Sequence, residues 1–124
     1  MITLDLPWPA KELSPNFRGH WRRVHTARKH YRFAAAVLCR AAVGAQPLSI
    51  EGRGLRLRYE FHPPQARAYD RDNLAARMKA ATDGIADALK VNDRGFHFAP
   101  PELRPKVAGG LVRLTIEVME EGAC

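Results

Sequence analysis

Two aspartates, Asp70 and Asp72, are separated by a single residue in the stretch "YDRDNL", which runs from Tyr69 to Leu74. In an extended segment, residues two apart point to the same side and lie roughly 6–7 Å from each other. Carboxylates presented together repel each other unless a cation lies between them, and Mg²⁺ prefers oxygen ligands of this kind. The alternative is structural. Aspartate is a preferred helix-capping residue, so Asp72 would cap the following helix and Asp70 would be a surface charge.

Polar residues downstream of the pair favour the metal site. Asn73 adds a polar group at the same turn. Lys79 follows Asp72 by nearly two helical turns, and Asp83 continues the same row. An ammonium group beside a metal-bound phosphate would stabilise negative charge in a transition state. Another acid, Asp93, follows in "VNDRGF". The alternative for the lysine is a solvated side chain paired with an acid four residues on.

The charge distribution indicates a polyanionic partner. The formal net charge is +7, and no Asp or Glu occurs from Leu13 to Ile50. Phosphate contacts supply most of the affinity of such a segment for nucleic acid. An anionic membrane surface is the rival partner, and a solvated basic face is the third interpretation. The acid-free segment contains Arg18, Arg22, Arg23, Arg28, Lys29, Arg32 and Arg40, with His20, His25 and His30 between them. Spacings of five residues place these histidines on different helical faces, so we interpret them as surface or phosphate-contacting groups.

Length and composition predict one globular domain, residues 1–124, with 46% hydrophobic and 27% charged residues. No run of 18 apolar residues predicts a transmembrane helix, and the first residues lack the pattern of a secretory signal. Cys39 and Cys124 make no disulfide framework, so we expect two free thiols in a reducing cytoplasm.

The elements that must position these residues alternate between strand and helix. Strict alternation of apolar and polar residues predicts strands at Ile2–Leu6, Gly54–His62 and Val112–Val118, with a short strand near Phe96–Phe98. Residues 97–110 are rich in Pro and Gly and predict a long loop. The order predicts an α/β fold of the α+β two-layer sandwich type, in which a small mixed sheet packs against two main helices.

Apolar spacings of three and four predict both helices. The first begins near Arg22 and ends near Gly44, with a buried stripe at Val24, Ala27, Tyr31, Ala34 and Leu38. The second covers Asn73 to about Lys90, and Gly84 predicts a kink or break within it. The two tryptophans, Trp8 and Trp21, are expected to anchor the core or a loop rather than to stack on bases.

These motifs resemble the RusA family of Holliday junction resolvases, which includes many phage-borne members. The resemblance covers most of the chain. It begins with "LPWP" at Leu6–Pro9 and a loop containing Asn16, and it is strongest at "DRDNL", on the family's Asp-x-Asp-Asn signature. It continues through "KAATDGIADAL" and ends at Asn92-Asp93, where the family usually has two acids.

The resemblance implies a homodimeric, Mg²⁺-dependent endonuclease that cuts branched double-stranded DNA at four-way junctions, with Mn²⁺ as an alternative metal. The family's three metal-binding aspartates fall on Asp70, Asp72 and Asp93. Its catalytic lysine usually stands where this chain has Ala76. Lys79 is the nearest replacement, displaced by about one helical turn, and Arg77 is a poorer one. The expected DNA contacts are Asn16, Arg18, Arg22, Arg23, Lys29, Arg32, Arg71 and Asn73.

The hypothesis from sequence is therefore metal-assisted phosphodiester hydrolysis, in DNA recombination and repair. A straight helix from Asn73 to Lys90 would be about 27 Å long and would keep Asp93 away from Asp72. Either the chain turns back at Gly84, which we favour, or Asp93 comes from a partner subunit. Two alternatives remain: a catalytically impaired DNA-binding protein of the same fold, or a metal enzyme acting on small phosphorylated substrates.

Overall fold

A computed structural model describes residues 1–120 of the chain, so the expected free thiol of Cys124 lies outside the described residues. The helices are α1 (Trp21–Ala45), α2 (Arg71–Ala76) and α3 (Lys79–Leu89), with short 3₁₀ turns at Lys11–Leu13 and Asp93–Gly95. The strands are β1 (Ile2–Pro7), β2 (Leu55–His62), β3 (Phe96–Phe98), β4 (Glu102–Leu103) and β5 (Leu111–Val118). This mixed five-stranded sheet packed with helices confirms the predicted α+β sandwich.

The sheet has the order β1-β5-β2-β3, and β4 also pairs with β2, further along that strand. Strand β5 runs antiparallel to both β1 and β2, whereas β3 and β4 run parallel to β2. A parallel pair requires a crossover connection, and α2 and α3 make it here. The crossover is what carries the predicted acidic residues and Lys79 across one face of the sheet.

Alternation along the strands builds the core. In β2, Leu55, Leu57, Tyr59 and Phe61 are buried. They pack with alternate residues of β1 and β5 in one hydrophobic cluster that also includes residues of all three helices. The predicted strand near Phe96 is confirmed as β3. The two-residue strand β4 was not predicted, because a segment rich in proline carries little strand signal.

Helix α1 packs on β1 and α3, and its most buried residues are Tyr31, Ala35, Ala36 and Cys39. This face is rotated from the predicted stripe, of which only Tyr31 is fully buried. The sequence pattern could not show that α1 contacts a second helix as well as the sheet. Cys39 is fully buried in the core, and this burial raises the pKa of its thiol to about 11.

The predicted break at Gly84 is wrong. Gly84 lies inside α3, where a Cβ atom would approach the carbonyl oxygen of Arg32 in α1 to 2.2 Å. A side chain is excluded there by the close crossing of two helices. The glycine therefore serves helix–helix packing and does not interrupt α3.

The interruption occurs instead at Arg77 and Met78, between α2 and α3. The Met78 amide donates to the carbonyl of Ala75, three residues back, which tightens the turn. The chain reverses after α3 at Lys90, whose backbone is left-handed with φ 56° and ψ 45°. This reversal directs Asp93 back toward the start of α3.

Candidate active site and nucleic-acid interface

Asp70, and not Asp72, caps the helix that carries the aspartate pair. Asp70 Oδ1 accepts hydrogen bonds from the backbone N–H groups of Asp72 at 2.9 Å and Asn73 at 3.2 Å. Asp70 is extended and Asp72 is already helical, so the two carboxylates are not presented along one strand face as predicted. Both side chains are exposed, and that of Asp72 makes no hydrogen bond within residues 1–120.

The described residues contain no group of three His, Cys, Asp or Glu side chains that could hold a metal ion by themselves. The three predicted metal-binding aspartates do not form such a group because α2 lies between them. Asp70 precedes α2, Asp93 lies beyond its far end, and six helical residues span about 9 Å. Mg²⁺ is commonly bound by one or two carboxylates together with water and substrate phosphates. The exposed carboxylates of Asp70 and Asp72 fit that kind of donor set.

Asn73 and Arg77 hold the α2 segment in place. Asn73 Nδ2 donates to Ser14 Oγ at 2.9 Å, and its Oδ1 accepts from Arg77 Nε at 3.1 Å. Arg77 also donates to the carbonyl of Pro9 at 3.3 Å. Partial burial lowers the pKa of Arg77. Both side chains thus have structural partners, whereas Arg71 is exposed at the start of α2.

Lys79 lies between two carboxylates. Its Nζ is 2.8 Å from Asp83 Oδ1 and 3.6 Å from Asp93 Oδ2. The hydrogen bond to Asp83 raises the pKa of Lys79, with a further contribution from Asp93. Ala76, Lys79 and Asp93 line one cavity of about 290 Å³. Ala76 stands where the resemblance to the RusA family predicts a lysine. Ala76 and Lys79 therefore face the same cavity.

Three further residues of this cavity were not among the predicted site residues. Tyr59 and Thr82 share a buried hydrogen bond of 2.7 Å, and burial raises the pKa of Tyr59. Phe98 is 55% exposed and stacks on the Tyr59 ring at a centroid distance of 6.4 Å. Strand alternation would have placed Phe96 and Phe98 on one face, but only contacts with other elements decide that Phe98 lies at a cavity mouth.

A basic groove adjoins this cavity. Its volume is about 580 Å³, and it runs between α1 and the α2–α3 segment. Ala76 and Lys79 line both spaces. The α1 side of the groove is formed by His25, Arg28, Lys29 and Arg32, of which His25 and Arg28 were not among the predicted DNA contacts. A row of cations therefore continues directly into the cavity that holds Lys79 and Asp93.

The predicted DNA-contacting cations differ in their partners. Arg23 pairs with Glu12 at 2.7 Å, and Arg32 makes two hydrogen bonds to Asp87 at 2.7 and 2.9 Å. Within residues 1–120, Arg18, Arg22 and Lys29 are exposed and form no ion pair. The loop residue Asn16 is also exposed.

The histidines of the acid-free segment lie in three separate places. His20 caps α1, because its Nδ1 accepts from the Arg22 amide at 3.1 Å. His25 lines the basic groove. His30 lines another groove, of about 610 Å³, on the side of α1 that faces Trp8.

The two tryptophans differ in how far they are buried. Trp8 is half-buried and packs edge-on against Phe61 and Tyr69, at centroid distances of 6.2 and 5.6 Å, as a loop anchor should. Trp21 is 66% exposed at the first position of α1, so the prediction that it anchors the core or a loop is wrong. Helical periodicity did not detect this, because Trp21 precedes the stripe that packs on the rest of the fold.

No protein-family model matches the chain. The chain is 48% identical over 97 residues to a protein of Xylella fastidiosa (strain Temecula1 / ATCC 700964) that is described as an uncharacterized protein. The match covers 77% of this chain and 63% of the relative, so the relative is longer than the matched segment. Of the helices within residues 1–120, none has the length and apolar character needed to cross a membrane.

Proposed function

We propose that the protein is a Mg²⁺-dependent endonuclease that cuts branched DNA, with four-way junctions as its substrate. The observation that carries this proposal is the position of Lys79. Its ammonium group lies 3.6 Å from Asp93, in a cavity shared with Ala76, and this cavity continues into a groove lined by the cations of α1.

Ala76 and Lys79 support the proposal through their common cavity. Residues three apart on a helix lie on nearly the same face, and the tight turn at Met78 keeps that relation here. The Lys79 ammonium thus reaches the cavity that a lysine at position 76 would also face. The hydrogen bond to Asp83 raises the pKa of this ammonium group and holds it in position.

The cations of the groove support a polyanionic substrate. Lys29 has no carboxylate partner within the described residues, and its neighbour Arg32 is held in position by Asp87. Exposed cations without partners bind phosphates and release counterions, which favours DNA over a small phosphorylated substrate.

The residues of the chain divide the proposed reaction between them. Groove cations bind the backbone of one DNA arm, and Lys79 stabilises charge on the phosphate that is cut. Asp70 and Asp72 would hold Mg²⁺ together with a phosphate oxygen, and Asp93 lies beside Lys79. When bound, the metal supplies a nucleophile and charge neutralisation for hydrolysis.

The test uses Asp70→Asn, because asparagine is as good a helix cap as aspartate but carries no charge. We expect this variant to lose Mg²⁺-dependent cleavage of a synthetic four-way junction by at least about 100-fold. Binding to the same junction should be unchanged or tighter, since a negative charge has been removed. Cleavage is followed on a labelled junction, with a linear duplex of the same sequence as the control substrate.

Asp70→Ala is the matched control for capping. It should lose activity equally and in addition lose about 1 kcal/mol of unfolding free energy, because the cap is gone. Full cleavage by the Asp70→Asn protein would refute the metal-binding role. Loss of junction binding in a folded Asp70→Asn protein would refute it as well.

A second candidate is a junction-binding protein without nuclease activity. Two observations favour it: the acids of the described residues form no three-ligand cluster, and Ala76 replaces the expected lysine. Tight junction binding by the unaltered chain, with no cleavage at any Mg²⁺ or Mn²⁺ concentration, would support this candidate.

Two paired cuts across a junction require two active sites, so the proposal includes a homodimer. It also includes a cytoplasmic location, where the DNA substrate is found. Sedimentation of the pure protein at several concentrations measures its oligomeric state. A monomer at every concentration would exclude the homodimer.

A further inference from the structure

Trp21 is an exposed aromatic residue in a basic setting. It leaves 66% of its surface open, although tryptophan is highly buried on average in folded proteins. Its ring stacks on that of His20 at a centroid distance of 5.7 Å with 29° between the planes. The guanidinium of Arg22 lies 5.6 Å from the Trp21 ring centroid. This large aromatic surface therefore contributes little to the core.

We propose that Trp21 is a stacking platform for an unstacked DNA base at a branch point. That the DNA is branched rests on the proposed function. The stacking itself requires neither a metal nor cleavage. Every base has a π-face, so base–aromatic stacking is tolerant of sequence. Bases inside a continuous duplex are already stacked on their neighbours, and only a branch or a single strand offers a free face.

The position of Trp21 suits this role. The ring of His20 is fixed as the cap of α1 by the hydrogen bond from the Arg22 amide, so Trp21 stands beside an ordered neighbour. The Arg22 guanidinium forms no ion pair within the described residues and is exposed. An exposed cation–π contact is weaker than base–aromatic stacking, so a base can displace this guanidinium. The displaced Arg22 can then contact the adjoining phosphate.

Charge complementarity favours DNA as the occupant. No acidic residue occurs between Leu13 and Ile50, and the nearby Glu12 is neutralised by its ion pair with Arg23, so the surroundings of Trp21 favour a phosphate backbone. A membrane-bound helix would need a broad apolar face on α1, and the face that contains Tyr31, Ala35 and Cys39 is already packed against the rest of the fold. A membrane is thus the less favoured partner, and the test includes it.

The test measures the fluorescence of Trp21 in a chain with Trp8→Phe, where Trp21 is the remaining tryptophan. The protein is titrated in EDTA with a four-way junction, a single strand and a linear duplex of matched sequence. We expect strong quenching by the junction and the single strand, and weaker quenching by the duplex. The fluorescence of the Trp21→Phe chain comes from Trp8 alone. Subtracting it from the signal of the unaltered chain gives the Trp21 contribution, even if the Trp8→Phe chain does not fold.

Affinity gives the second readout. Trp21→Ala should weaken junction binding on the order of 5- to 100-fold and duplex binding by less than about 2-fold, whereas Trp21→Phe should retain most of the affinity. The matched control is Phe33→Ala, because Phe33 is 68% exposed on the same helix but lies further along it. Its junction affinity should equal that of the unaltered chain.

Three results would overturn the proposal: unaltered junction affinity of Trp21→Ala, equal quenching by duplex and junction, or a larger fluorescence change with vesicles of phosphatidylglycerol and phosphatidylcholine. Cleavage by the unaltered chain without quenching would refute the platform and leave the nuclease. Quenching without cleavage would refute the nuclease and leave the platform.

Discussion

The acid-free segment and the segment from Asp70 to Asp93 differ in how their cations are paired. On α1, Arg22 and Lys29 have no carboxylate partner within the described residues, whereas Arg23 and Arg32 each pair with one carboxylate. In the second segment, Lys79 lies between two aspartates. Unpaired cations are available to an external polyanion, whereas paired charges fix one another's positions. The first segment therefore suits binding and the second suits chemistry at a defined point.

The two segments are also packed together. Helix α1 crosses α3 at Gly84, and the ion pair between Arg32 and Asp87 joins the same two helices. The distance between the binding cations and Lys79 is thus set by a helix crossing that admits no side chain.

The largest effect is expected from separating the two segments with Gly84→Ala. The new methyl group would meet the Arg32 carbonyl oxygen and the Ala35 Cβ, which cannot move without shifting α1. Overpacking of this kind typically costs about 1–3 kcal/mol of unfolding free energy. Urea unfolding of the variant measures the loss.

Gly44→Ala is the control for this variant. Gly44 is helical, and no atom lies within 4 Å of where its Cβ would be. Alanine there should leave stability unchanged or raise it by up to about 1 kcal/mol, through the conformational entropy of the unfolded chain. Equal changes in the two variants would contradict the role given to the crossing at Gly84.

A smaller effect is expected when one cation of the groove is removed. A phosphate contact contributes about 0.9 to the slope of log affinity against log salt concentration. Lys29→Gln should lower the slope for duplex DNA by about that amount. Arg32→Gln should lower it by less than half as much, because Asp87 already holds the Arg32 guanidinium. Anisotropy of labelled DNA between roughly 50 and 200 mM salt measures both slopes.

Equal slope changes for the two variants would show that the ion pair opens on binding. The difference between paired and unpaired cations on α1 would then not govern DNA binding. Far-ultraviolet circular dichroism of both variants checks that neither change disturbs the fold.

The smallest effect concerns the ionisation of Lys79. The hydrogen bond that Lys79 donates to Asp83 raises the pKa of Lys79, so Asp83→Asn should lower that pKa. The raised pKa favours folding at pH below the ordinary lysine value, and this contribution is lost as pH rises through the raised pKa. The effect on stability should be small because Lys79 is exposed. Carbon-13 NMR of the lysine Cε measures the pKa directly.

Asp87→Asn is the control, since Asp87 pairs with Arg32 and forms no ion pair with Lys79 within residues 1–120. It should leave the Lys79 pKa unchanged. An unchanged pKa in the Asp83→Asn protein would mean that Asp93, and not Asp83, governs the charge of Lys79.

Much of the fold could be predicted from local pattern. Alternation placed β1, β2 and β5 within one or two residues of their ends, because a half-buried strand must place apolar side chains on one face. The division between α2 and α3 could not be predicted. It accompanies contacts of Arg77 with Pro9 and of Asn73 with Ser14, and these partners are remote in sequence.

The candidate site was predictable in residue type but not in arrangement. Sequence spacing placed Lys79 and Asp83 on one face, and their side chains meet at 2.8 Å. The same spacing favoured Asp72 as the cap, whereas Asp70 performs that role. The choice depends on the backbone conformation at the first turn, where only one carboxylate reaches the free N–H groups.

Residue type and spacing alone are enough to predict the strand and helix periods, the acid-free basic segment and the acids around one lysine. Three features come only from the folded chain: Lys90 reverses the chain and brings Asp93 to Lys79, Gly84 lies against the backbone of α1, and Trp21 stays exposed. Each of these depends on which distant residues come into contact. Such contacts are set by the packing of whole elements and not by the local chain.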